Sequence, residues 1–180
     1  YLNDALENVH RMIRIVNELL DVSKIEERQY RVRQDSFDIV IMIKEVISDF
    51  APWAKALNRD IEFSPPASFP LVCGEALKIS RVIENFLTNG IKYGSPGQGT
   101  VELGIKKHGS KAVFHCKDDG IGITKRDQKK LFTKFYRSEE ALERDPSGTG
   151  LGLYINKAII ELSGGKIWFK SKENQGSTFY

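Results

Sequence analysis

The chain has 180 residues and a mass of 20.4 kDa, enough for one ordinary domain with an accessory element, and two cysteines exclude a disulfide-stapled miniprotein. An apolar fraction of 41% with well-mixed charges argues for a folded chain, and a net charge of +3 is too small to mark a nucleic-acid footprint or a membrane-binding patch. The longest apolar run, Ile39 to Ile43, is far short of a bilayer span, so the expectation is a soluble, cytoplasmic segment without a signal peptide.

In chain order, Leu2, Leu6, Val9, Ile13, Val16 and Leu20 recur at alternating spacings of four and three, the seam of a helix that packs along a partner helix. Packing of that seam on the chain's own globular part is the competing reading. The helical period ends after Glu26-Glu27-Arg28, which puts a boundary near residue 29 and divides the chain into 1–29 and 30–180. Tyr30, Val32 and Phe37 are strand-like, and Asp38 can cap a helix from Ile39 to about Trp53. Strand signals follow at Ile61 to Phe63 and Leu71 to Cys73, and Glu75 opens a helix to about Tyr93. Thr100 to Lys106 and Ala112 to Lys117 alternate as a hairpin around His108-Gly109-Ser110. A short helix at Arg126 to Phe132, a polar loop, a helix at Leu151 to Leu162, and strands at Lys166 to Lys170 and Ser177 to Tyr180 complete an α+β sandwich with one helical layer on a mixed sheet. Cys73 and Cys116 lie far apart, with no metal-ligand spacing around them.

Three blocks carry chemistry. On the helix opened by Glu75, Asn85, Asn89, Lys92 and Tyr93 fall on one face beside the apolar stripe Ile79, Ile83, Phe86, Leu87 and Ile91. Two asparagines one turn apart in mid-helix cost stability, and carboxamide oxygens suit magnesium while a lysine suits phosphate. A solvated helix face is the alternative. Second, Asp118-Asp119-Gly120-Ile121-Gly122-Ile123 follows a strand, so the backbone can approach a flat ligand and a carboxylate can accept from an exocyclic amine; a plain Asp-Gly turn is the alternative. Third, Gly148-Thr149-Gly150-Leu151-Gly152-Leu153 opens a helix whose free backbone amides and dipole favour an anion. It is neither a dinucleotide-binding fingerprint nor a Walker loop.

Taken in order, these blocks resemble the catalytic and ATP-binding domain of bacterial sensor histidine kinases, in the superfamily shared with gyrase-type, chaperone-type and mismatch-repair ATPases. Asn85 to Tyr93 resembles the family's N box, Asp118 to Gly122 its first glycine box, Leu131 to Arg137 its F box, Gly148 to Leu153 its second glycine box, and Gly176 to Phe179 its closing strand. The first 28 residues resemble the second helix of the dimerisation and phosphotransfer hairpin, which would account for the unpartnered seam. The resemblance implies a two-layer α/β sandwich of the Bergerat type. It implies that ATP and magnesium bind, with Asp118 on the adenine amine, Gly120, Gly122 and Ile123 shaping the pocket, and Asn85 and Asn89 on the metal. Lys92 would meet phosphate, Tyr93 would line the nucleotide, and Arg137 would neutralise charge on the transferring group. Phe135, Thr149, Gly150, Leu151, Gly152, Leu153 and Thr178 would complete the nucleotide site, with Gly148 at the end of an ATP lid running from about Tyr136 to Thr149.

The implied activity is transfer of the γ-phosphoryl group to a histidine for relay to a response-regulator aspartate, in a homodimer without nucleic acid. Hydrolysing members carry Glu where Asn85 stands, so slow hydrolysis is expected here; a conformational ATPase or a nucleotide-binding scaffold of the same superfamily is the alternative. His10, His108 and His115 lack the phosphoacceptor context, so the fragment is not expected to phosphorylate itself in cis. Membrane anchoring of an intact protein is left open. Gly94 stands where the family often has a hydroxyl residue, which predicts a looser helix exit.

Overall fold

The computed structural model describes residues 2–95 and 97–180, and for residues 2–5 and 7 the backbone alone. Helix α1 spans Leu2–Glu26. Strand β1 (Asp35–Phe37) pairs antiparallel with β3 (Val72–Gly74) as a small separate ribbon. Helix α2 (Ile39–Ala56) starts as expected, with Asp38 Oδ1 accepting from the amides of Val40 at 2.8 Å and Ile41 at 3.0 Å. It runs past Pro52 and beyond the predicted end at Trp53, because Ala54 is fully buried and holds the last turn against the core.

Strand β2 (Arg59–Phe63), the hairpin of β4 (Gly99–His108) and β5 (Lys111–Asp118), β6 (Phe169–Ser171) and β7 (Ser177–Phe179) form a five-stranded sheet in the order β2-β4-β5-β7-β6. Only β2 with β4 is parallel. The last strands are shorter than expected: Lys166 and Ile167 lie outside the ladder, although Trp168 and Tyr180 still exchange two backbone hydrogen bonds just beyond it.

Helices α2, α3 (Ala76–Tyr93) and α6 (Gly152–Leu162) cover one face of the sheet. Every second residue of β4 and β5 points into this layer, so Val101, Leu103, Ile105 and Cys116 are buried with Ile43, Ile83, Phe86, Leu87, Leu151, Ile155 and Ile159. Phe86 stacks on Phe114 and meets Phe179 at a tilt across the layers. The result is the α+β two-layer sandwich expected from the sequence.

Two short helices complete the chain. Helix α4 (Lys125–Gln128) is briefer than the predicted helix at 126–132. The expected polar loop instead contains α5 (Glu139–Arg144), capped by Ser138 Oγ accepting from the Ala141 amide at 3.2 Å; six residues are too few to show an apolar period.

At the C-terminus of α3 the side chain of Arg59 turns inward. Its guanidinium donates to the carbonyl oxygen of Ile91, one that the helix end leaves open, and to those of Ser95 and Gly97 in the loop that follows. A Cβ at Gly94 would lie 2.7 Å from Arg59 Nε. Gly94 therefore makes room for a tight cap, and the expectation of a looser exit is corrected.

The seam on α1 is largely uncovered: Leu6, Val9, Ile13, Val16 and Leu20 are each half exposed or more, while Leu2 lies outside the described side chains. Further along, Val22 is buried and Ile25 packs on the core, and α1 touches α6. Among the described residues no helix is long and apolar enough to cross a membrane.

Candidate functional site

A cavity of about 490 Å³ opens between α3, the β5–α4 loop, the segment from Tyr136 to Leu153, and α1. This is the size range of small-ligand pockets. Asn85, Asn89, Lys92 and Tyr93 line one wall, as the helical spacing required. Asp118, Gly122 and Ile123 line the floor, and Arg137, Gly148, Thr149, Gly150, Gly152 and Leu153 line the opposite side.

Asp118 ends β5 with its carboxylate buried. Oδ1 accepts from the amides of Gly120 at 2.9 Å and Ser177 at 3.2 Å, and Oδ2 has no hydrogen-bond donor among the described residues. Burial pushes the carboxyl up to about 6 despite these backbone bonds. The site therefore presents one oriented, poorly solvated acceptor to the cavity. Gly122 adopts φ +66, and a Cβ there would lie 2.0 Å from the Lys172 carbonyl oxygen, so the loop can pass so close only with glycine.

On α3, Asn89 Nδ2 donates to Asn85 Oδ1 at 2.9 Å. The carboxamides thus stand side by side, and Asn89 Oδ1 carries no hydrogen bond among the described residues. Hard amide oxygens of this kind fit a magnesium ion, whereas no group of three or more His, Cys, Asp or Glu suited to a metal occurs among the described residues. Gly152 opens α6 directly against this pair: a Cβ there would come within 2.2 Å of Asn85 Nδ2.

The cations are held by the segment from Ala141 to Gly148. Lys92 Nζ donates to Asp145 Oδ2 at 2.8 Å, and Asp145 Oδ1 accepts from the Ser147 amide and hydroxyl. Partial burial works against the Asp145 charge, but the Lys92 ammonium and Ser147 outweigh it and bring the carboxyl down to about 2. The Arg137 guanidinium donates to the carbonyl oxygens of Gly148, at 2.9 Å, and of Ala141 and Asp145. Partial burial raises the Tyr93 phenol, which sits near Arg137 and Asp145.

Four expected site residues do not line the cavity. Gly120 lies beneath it, where a Cβ would be 2.1 Å from the Tyr93 carbonyl oxygen. Leu151 is a core residue, and Phe135 points outward, 62% exposed, offering only its backbone as a seat for Gly150. Thr178 lies on the opposite sheet face to Ser177 and Phe179, which do line the cavity. Residues not foreseen include Ser177, Thr88, Asp127 and Glu84. Asp127 is buried, caps nothing itself, and accepts from the Tyr136 hydroxyl at 2.8 Å and Arg126 Nε at 3.1 Å. Glu84 also reaches the wall, with Oε1 accepting from Ser80 Oγ at 2.8 Å. None of His10, His108 or His115 lines the cavity.

With this geometry in view, residues 74–180 match the model of the histidine kinase-, DNA gyrase B- and HSP90-like ATPases. The chain belongs to that family. The sensor protein kinase WalK of Staphylococcus haemolyticus is 34% identical over 182 residues, covering 100% of this chain and 29% of the relative. WalK of Staphylococcus aureus is 34% identical over 191 residues, covering 100% of this chain and 43% of the relative. The chain thus spans less than half the length of these relatives. Among solved structures, the catalytic domain of histidine kinase ThkA has a TM-score of 0.70 at 27% identity, covering 82% of this chain and 94% of that one. The Acinetobacter baumannii histidine kinase AdeS superposes with a TM-score of 0.80 at 22% identity over 99% of this chain and 81% of its own, which speaks for the fold alone. The likeness to sensor histidine kinase catalytic domains seen in the motifs therefore holds for fold and family.

Proposed function

We propose that the chain binds ATP in this cavity and transfers its γ-phosphoryl group to a histidine on another helix, as the catalytic part of a sensor histidine kinase. The observation that carries this reading is the convergence of Asp118, the Asn85–Asn89 pair, Lys92 and the glycine-rich N-terminus of α6 on one cavity. In it, Asp118 Oδ2 accepts from the adenine amine, and Ile121, Ile123 and Leu153 give the base an apolar seat. Asn85 and Asn89 hold magnesium, which when bound supplies positive charge to the phosphate oxygens. Lys92 and Arg137 leave their lid partners to meet the phosphates, where fixed cations stabilise the charge of the transferring group. The bond from the γ-phosphorus to the bridging oxygen breaks, a bond to an imidazole nitrogen forms, and ADP leaves.

Residues 30–180 act as the catalytic domain and residues 1–29 as a dimerisation helix, whose exposed apolar seam suits a helical partner. A response-regulator receiver domain is the onward partner; one fold neighbour, ThkA, is known in complex with a response regulator, at 24% identity and a TM-score of 0.73. Another, ShkA, is known with AMPPNP, at 20% identity and a TM-score of 0.83. In this reading catalysis takes place in the cytoplasm.

The test is magnesium-dependent ATP binding followed by phosphotransfer to a supplied acceptor helix. Binding lost on Asp118→Asn or Asn89→Ala supports the site; unchanged affinity in both removes it. Stable label on His10 would overturn the assignment of an acceptor outside this chain.

A further inference from the structure

The hydroxyl of Thr149, within the glycine-rich segment, donates to Glu18 Oε2 at 2.6 Å across 131 residues of sequence. The same oxygen accepts from the Leu151 amide at 3.2 Å. A hydroxyl has one proton, so committing it to Glu18 turns a lone pair toward Leu151. This matters because Leu151, the residue that would cap α6, has no side-chain cap of its own. The Thr149–Leu151 bond is the side-chain tie that sets the entry into α6, and Glu18 sets the hydroxyl that makes it.

Glu18 is also where α1 changes surroundings. It is half-buried and lines the cavity together with Arg14, one turn earlier. The next turn is anchored: Asp21 pairs with Arg81 and Val22 is buried. Upstream, the seam from Leu6 to Val16 is open. A shift of the uncovered half of α1 therefore reaches the glycine segment first through Glu18.

We infer that Glu18 is a positioning residue, coupling the attitude of α1 to the phosphate-facing entry of α6 through the Thr149 hydroxyl. This rests on the nucleotide reading proposed above. The experiment uses the 180-residue chain and its Glu18→Ala, Glu18→Gln and Thr149→Val variants. Two quantities are measured: amide hydrogen exchange of the 148–153 segment without nucleotide, and the Kd of a fluorescent ATP analogue with magnesium. Glu18→Ala and Thr149→Val each speed exchange at Leu151 and raise the Kd by about three- to tenfold, the range for one hydrogen bond net of solvent. The double variant is no worse than either single one, because the two side chains act as one link. Glu18→Gln, whose amide oxygen can still accept, restores both quantities toward the unmodified chain.

A change in Tm alone, with exchange and Kd unmoved, means Glu18 is merely structural and overturns the inference, as does additivity in the double variant. Failure of the unmodified chain to bind the ATP analogue is a separate result. It removes the nucleotide reading and with it the purpose of the coupling, even where the exchange data still register the tie.

Discussion

Lys92 Nζ and Asp145 Oδ2 stand 2.8 Å apart, so a carboxylate already sits on the cation proposed to meet the nucleotide phosphates. Under the proposed function, Asp145 competes with phosphate for Lys92. Asp145→Asn should tighten ATP binding by about two- to fivefold, the worth of a partly exposed ion pair, measured by fluorescence titration. Weaker binding would show that Asp145 helps the nucleotide. Because the folded carboxyl is lowered to about 2, its contribution to stability is present above the ordinary aspartate value and is lost as pH falls through that range.

Asp118 has the opposite sign. Its carboxyl is raised from 3.8 to about 6, so its favourable contribution is complete below 3.8 and is lost as pH rises through about 6. Asp118→Asn should thus gain in Tm relative to the unmodified chain as pH rises from about 4 to 7, while losing ATP binding by at least about tenfold through the missing charged acceptor. A Tm difference that does not vary with pH would contradict the buried, poorly solvated state of this group.

Gly152→Ala tests the contact between α6 and the asparagine pair. The added methyl falls 2.2 Å from Asn85 Nδ2, and Asn85 is already held by Asn89. Displacing that side chain should weaken magnesium-dependent ATP binding strongly while costing the fold only about 1–3 kcal/mol, the usual price of overpacking. Calorimetry with and without magnesium separates the two effects.

Asn85→Glu should raise ATP hydrolysis, since it installs a proton acceptor where an amide cannot take one. Glu84→Gln should leave hydrolysis at the level of the unmodified chain, because Glu84 is engaged by Ser80. Phosphate-release assays would distinguish them, and a large loss in Glu84→Gln would make Glu84 the base.

Ile13→Glu and Val16→Glu alter the open seam, where both residues are more than half exposed. Domain stability should stay within about 0.5 kcal/mol, while helical association with an acceptor segment is lost. Light scattering and thermal melts report the two quantities independently.

Local spacing was enough to locate the asparagine face of α3, the Asp118 turn and the glycine-opened helix, because each is a short-range pattern with a definite period or turn chemistry. What it left undecided was the third dimension. Strand parity could have favoured Ser177 over Thr178, since Ser177 shares its face with the apolar Phe179; the motif order alone did not use it. Phe135 and Leu151 belong to the right segments but turn outward and into the core, choices made by packing. Glu18 and Asp145 gave no local signal, since their partners lie across 131 and 53 residues.

The inward-turned Arg59 carries an evolutionary consequence. Its guanidinium occupies the space that a Cβ at Gly94 or Gly99 would need, with distances of 2.7 Å in both cases. The three positions should therefore vary together: relatives bearing a larger residue after the Tyr93 position should have exchanged the arginine for something shorter, and chimeras that mix the two solutions should lose the ordered end of α3 before any residue of the cavity is touched.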